Sequence, residues 1–216
     1  MRFYLETAHF SEAQRATALG FLAGVYVPRR IVQATGRDYL SLVSEISGLS
    51  LPWLGVEVEA LDSVGIELEI ASLHDVAKDS SCHTFAPLTL QTLQALSRET
   101  THGKAFGVQY PCSLTQVLLA ARAGATEAIL DAQVLAAAGI DPSVLLTQFK
   151  RVFLAYEIPF TFLVSGIRDS LEIERLALAG TDGVICSWEI VRGLAYHPYT
   201  DLSIQRVLEL RSNKPT

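Results

Sequence analysis

The chain repeats one pattern eight times: a short apolar run rich in β-branched or aromatic residues, followed by a stretch with helical spacing. The runs are "RFYLE" (Arg2–Glu6), "GVYV" (Gly24–Val27), "LGVEVE" (Leu54–Glu59), "CHTF" (Cys82–Phe85), "AFGVQY" (Ala105–Tyr110), "EAIL" (Glu127–Leu130), "TFLV" (Thr161–Val164) and "GVIC" (Gly183–Cys186). Start and stop signals bracket several of the helical stretches: Ser11 before "EAQRATAL", Ser113 and Gly124 around "LTQVLLAARA", Asp169 and Gly180 around "SLEIERLALA". A side-chain acceptor just before a helix satisfies its free N–H groups, and glycine just after it turns the chain out. Strict β–α alternation predicts a parallel sheet wrapped by helices, and eight repeats predict closure into a (β/α)8 TIM barrel. The alternative is an open doubly wound sheet, which normally carries a glycine-rich turn after its first strand; "LETAHFSEA" has none.

Composition fits one such α/β domain over residues 1–216, half of them hydrophobic. Beyond the eighth repeat, an amphipathic segment at about residues 199–212 predicts an additional C-terminal helix, with Leu202, Ile204, Val207 and Leu208 near one stripe and Arg206 and Arg211 off it. A net charge of −6 with scattered arginines lacks the basic stripe that a nucleic acid backbone requires. No apolar run approaches the roughly 20 residues that span a bilayer. The N-terminus turns polar too early for a secretion signal, so a cytoplasmic protein is expected. Cys82, Cys112 and Cys186 contain no C-x-x-C pair, which predicts buried reduced thiols and neither disulfides nor a zinc site.

In such barrels chemistry sits at the C-terminal ends of the strands. The segments "MRFYLETA", "GRDYLSLVSEIS", "VEVEALD", "SLTQVLLAARAGAT", "SGIRDSLEIERLALAGTDGV" and "YHPYTD" cover nearly the whole chain. Through them it resembles the small transaldolase and fructose-6-phosphate aldolase family of single-domain barrels. That resemblance implies a lysine at the end of strand 4, in a V-K-x-P setting, forming a Schiff base with a ketose or dihydroxyacetone. An amine is needed because it condenses with a carbonyl to an iminium, an electron sink for C–C cleavage.

Aligned on Pro87, that lysine position holds Phe85. By the same resemblance the family's T-T-N-P run after strand 2 is replaced by "YVPRR" (Tyr26–Arg30). Its strand-5 asparagine and threonine become Gly107 and Gln109, and its strand-1 acid–base aspartate becomes Glu6. Glu57 and Arg168, the latter at the phosphate-type arginine position, stand where the family has them. The chain's lysines are Lys78, Lys104, Lys150 and Lys214. Lys78 and Lys104 are expected at the N-terminal face, Lys150 on an outer helix and Lys214 in the tail, all out of reach of the mouth.

Period-2 alternation turns His83 inward with Phe85. Phe85 either fills core or shapes an apolar ligand site. Glu6, Glu57, His83, Gln109 and Asp131 could line one cavity, as an acid–base or metal-binding set or as hydrogen-bonded remnants of an older site; Glu59 and Tyr26 could simply be polar loop ends. No short-range ligand spacing such as H-x-x-x-H is present. Arg168 opens a helix, and Arg29 and Arg30 follow strand 2 after Pro28. These arginines could bind a sugar phosphate or another anion; alternatively, Arg29 and Arg30 are solvated or pair with acidic neighbours at a subunit contact. His197 leads into the C-terminal helix, which in the family packs across neighbouring subunits in rings, so a homo-oligomer is expected; folding back on its own barrel is the alternative.

The expectation is therefore a non-catalytic, transaldolase-like binding, scaffolding or regulatory protein without cofactor or metal, with a protein partner as one possible ligand. The alternatives are carbohydrate-metabolising chemistry of a metal- or acid–base-assisted kind, and retained aldol chemistry if the motif alignment fails.

Overall fold

The computed structural model describes residues 1–77, 81–99 and 105–212. Eight parallel strands close into a barrel in sequence order: β1 (Arg2–Glu6), β2 (Leu22–Val27), β3 (Leu54–Glu57), β4 (Cys82–Pro87), β5 (Phe106–Gln109), β6 (Glu127–Asp131), β7 (Thr161–Ser165) and β8 (Gly183–Ser187), with β8 pairing back onto β1. Each of the eight predicted runs falls on a strand. β3 ends at Glu57, two residues before its predicted end, and β4 runs on to Pro87.

Eleven helices follow in the described residues: α1 (Phe10–Ala18), α2 (Arg29–Thr35), α3 (Tyr39–Ser47), α4 (Ser63–Ala77), α5 (Leu90–Glu99), α6 (Leu114–Ala123), α7 (Ala132–Ala137), α8 (Pro142–Ala155), α9 (Ser170–Leu178), α10 (Trp188–Gly193) and α11 (Pro198–Ser212). Ser113 caps α6, and Gly124 ends it in the left-handed conformation at φ 111°. Asp169 caps α9 by accepting from the Glu172 amide at 2.8 Å, while Glu172 accepts from the Arg168 amide at 2.9 Å. Asp169→Ala should therefore lower the unfolding free energy by about 1 kcal/mol, read from a urea melt. The expected Ser11 cap is corrected: Ser11 lies inside α1 and His9 holds the cap position without a side-chain bond. Thr7 ties this start down instead, accepting from the His9 amide at 3.0 Å and donating to Glu12 at 2.5 Å.

Two cores result. The outer one lies between sheet and helices and is aliphatic, with Leu5, Val25, Leu54, Val56, Ala86, Val108 and their helical partners. The inner one fills the barrel with Tyr4, Tyr26, Trp53, Phe85, Ile129, Leu163 and Ile185. So many rings fit one barrel because glycines on adjacent strands yield space. A Cβ on Gly55 would stand 2.2 Å from the Trp53 ring, and one on Gly107 would stand 2.3 Å from the Phe85 ring. Close-packed interiors tolerate no such overlap, so each ring depends on its neighbour's missing side chain.

Cys82 and Cys186 are buried free thiols and Cys112 is half-buried. Burial, with a smaller contribution from the Glu6 charge, pushes the Cys186 thiol up to about 12. Tyr199, Leu202, Ile204, Val207 and Leu208 on α11 are exposed. Among the described residues no helix is long and apolar enough to cross a membrane.

Candidate functional site at the barrel mouth

At the C-terminal end of the strands the position in question is closed. Phe85 is 0% exposed, paired in register with Glu57 on one side and Gly107 on the other. Its ring meets Tyr26 edge-on at 6.1 Å between centroids and Trp53 at 5.9 Å. The side chain is a plug between the inner core and the polar groups of the mouth.

Those polar groups are interlocked. The Tyr26 hydroxyl donates to Glu57 Oε1 at 2.5 Å, and Gln109 Nε2 donates to the same oxygen at 2.7 Å and to the Tyr26 hydroxyl. Burial, reinforced by the Glu57 charge, drives the Tyr26 phenol well above its ordinary range, so it remains a donor. The second Glu57 oxygen accepts from the Arg29 amide at 2.7 Å, and Arg29 Nε donates to the Glu57 carbonyl at 2.9 Å.

Arg29 is held from every side. Its guanidinium pairs with Glu69 and, at 3.3 Å, with Glu59, and lies 3.9 Å above the Tyr39 ring. Tyr39 in turn donates to the Val27 carbonyl at 2.8 Å and accepts from the Glu57 amide at 2.7 Å. Arg29 is thus paired with acidic neighbours, and the expected subunit contact is corrected: both carboxylates belong to the same chain. Tyr39 and Glu69 were not singled out by sequence; the return of Glu69 to the Glu59 and Ala60 amides, ten and nine residues back at 2.9 Å each, has no local signature.

Arg30 reaches Glu6 with Nη2 2.9 Å from Oε1. Burial raises the Glu6 carboxyl above its usual range; Arg30 works against the shift, and Glu57 and Asp131 add to it. Asp131 caps α7, accepting from the Gln133 and Val134 amides at 2.9 and 3.0 Å.

The expected single cavity is split. His83 faces inward as the alternation requires, but its Nδ1 contacts Glu127 and its ring packs on Trp53 at 5.3 Å, apart from Glu6, Glu57 and Gln109. Glu127 Oε2 is buried without a hydrogen-bond partner among the described residues. Sequence reading did not find Glu127, because its inward placement depends on how β6 is staggered in the closed sheet. Arg168 also stands apart: it is exposed, 3.6 Å from Glu172, in a crevice of about 280 Å³ with Arg175 and the Gly139–Ser143 turn. His197 is exposed and stacks on Tyr199.

Lys150 is the one lysine among the described residues. Its Nζ pairs with both oxygens of Asp182 at 2.6 and 2.5 Å, and Asp182 accepts from the amide of Phe162 at the start of β7, which pins the amine to the N-terminal end of the barrel. Lys78, Lys104 and Lys214 lie outside the described residues. Among the described residues no three carboxylate, imidazole or thiolate groups are arranged to hold a metal ion.

No family model matches the chain. Individual proteins do: a probable transaldolase 1 of Listeria monocytogenes is 31% identical over 213 residues, covering 96% of both chains. The chain belongs to the transaldolase family. Probable transaldolases of Halalkalibacterium halodurans and Methanococcus vannielii are 29% and 28% identical over 214 and 208 residues, covering 99% and 96% of this chain and 100% and 96% of theirs. Among solved structures, one described as native KDPGal superposes with a TM-score of 0.62 at 12% identity, over 86% of this chain and 82% of its own. A cube-shaped cage designed by fusing symmetric oligomeric domains superposes at 0.64, also at 12% identity, over 98% and 78%. These two likenesses show the barrel fold alone. Within the transaldolase family the chain therefore forms a closed eight-stranded barrel that carries Phe85 in a buried aromatic setting.

Proposed function

We propose that this transaldolase-like barrel acts as a binding protein without Schiff-base chemistry, taking a sugar phosphate or another anion at its mouth. One observation supports the reading: Phe85, which alignment on Pro87 sets at the family's amine position, is fully buried and packed into the space left by Gly107. Schiff-base formation needs a nucleophilic amine that can attack the carbonyl carbon, and Phe85, Tyr26, Glu57 and Gln109 supply only a ring and a closed hydrogen-bonded set without an amine. Arg30, 60% exposed at its side chain, is the cation available to an incoming anion at the mouth, and Arg168, 66% exposed, is a second one on the rim. The exposed apolar side chains of α11 favour a homo-oligomer. A cytoplasmic setting accords with this reading.

The test is direct. Incubation with fructose 6-phosphate or dihydroxyacetone followed by borohydride should leave the intact mass unchanged. A stable adduct on any lysine would overturn the proposal and restore aldol chemistry.

A further inference from the structure

Arg30 is the mouth's accessible cation, and it is already occupied. Its guanidinium lies 2.9 Å from Glu6 Oε1, with the arginine side chain 60% exposed and the glutamate 10% exposed. The partners thus differ in what they lose on separation. Released Arg30 would stand in water, whereas released Glu6 would remain in the wall of the barrel.

We propose that Glu6 is an internal competitor for the anion site at Arg30, so that an oxyanion binds there together with one proton taken up by Glu6. The inference rests on the reading of the mouth as an anion receptor. Arg30 from α2 contacts Glu6, and the other groups close enough to interact with it electrostatically are Glu57 from β3, Asp131 from the end of β6, Tyr110 just after β5 and the Cys186 thiol on β8. Two are carboxylates, one is a phenol, one is a thiol, and Arg30 is the one cation of the set. When a phosphate-type or carboxylate anion takes the guanidinium, an ionised Glu6 would be left nine-tenths buried beside two other negative groups without a counter-charge. Such a group neutralises by binding a proton.

Coupling of this kind is reciprocal: the anion raises the affinity of Glu6 for its proton by the factor by which the proton raises the affinity for the anion. Even with Arg30 in place, burial already holds the Glu6 carboxyl above the usual range. The sign follows. At low pH Glu6 is neutral, Arg30 is free and anion affinity is high; as pH rises through the Glu6 titration, the ionised carboxylate reclaims Arg30 and affinity falls.

Inorganic sulfate is the probe, since its charge is constant across this range, with an Arg168→Gln background to remove the rim arginine as a second site. By calorimetry, binding should be about tenfold tighter near pH 5 than near pH 8, with a heat that depends on the buffer's ionisation enthalpy, the mark of proton uptake. Adding Glu6→Gln should give the tighter affinity at both pH values with no buffer dependence, and adding Arg30→Gln should abolish binding. Equal affinity at both pH values without proton uptake, but with binding still lost in Arg30→Gln, would overturn the competition and leave the anion receptor standing. No sulfate binding in any variant, or binding indifferent to Arg30, would overturn both. The buffer dependence needs no variant at position 6, so it decides the matter even if Glu6→Gln folds poorly.

Discussion

Phe85→Ala should lower the unfolding free energy by about 3–5 kcal/mol, measured by urea denaturation followed by far-UV circular dichroism. The ring is fully buried between Tyr26 and Trp53 and rests on Gly107. Truncation removes its contacts and leaves a void. Large-to-small changes cost most where the surroundings cannot relax into the space. Here the floor is a bare glycine backbone held in the ladder and the walls are two aromatic rings fixed by their own neighbours, so little can move in. A loss under about 1 kcal/mol would mean that the ring is not part of the barrel's packing.

Glu57→Ala should cost a similar amount, about 3–5 kcal/mol, for a different reason. Its carboxylate accepts from the Tyr26 hydroxyl, from Gln109 Nε2 and from the Arg29 amide. Alanine would leave a buried phenol, a buried amide group and the first turn of α2 without their acceptor. Unsatisfied buried donors are costlier than the original bonds were favourable. Glu57→Gln, which keeps the shape and one good acceptor, should lose roughly half as much, and the difference between the two variants isolates the hydrogen-bonding part. Equal and small losses would show that water replaces the carboxylate.

The strands were legible in the sequence because their signal is local: each is a short apolar run rich in β-branched or aromatic residues, and period-2 alternation within "CHTF" suffices to turn both His83 and Phe85 inward. The position of Phe85 relative to Pro87 is equally local. Partners were not legible where closure of the barrel brings distant segments together. Arg29 meets Glu69 across 40 residues, His83 meets Glu127 across 44, and Gln109 meets Glu57 across 52. A cavity shared by Glu6, Glu57, His83, Gln109 and Asp131 was not to be had, because aromatic rings fill the same interior and His83 turns to Glu127 instead. Ser11 carries the residue type of a cap but lies inside α1, because Thr7, with Glu12 five residues on, secures the helix start.

The fit of Phe85 against Gly107 also bears on which substitutions the barrel accepts. The ring and the missing side chain are two halves of one contact, so a change at one position is felt at the other. Asparagine at position 107 would drive its Cβ into the ring, and lysine at 85 would leave the hollow over Gly107 part-filled and its ammonium among hydrocarbon. A single substitution at either position therefore meets a folding penalty. The two positions behave as one structural unit, and the barrel accommodates a larger residue at 107 only when the ring at 85 gives way with it.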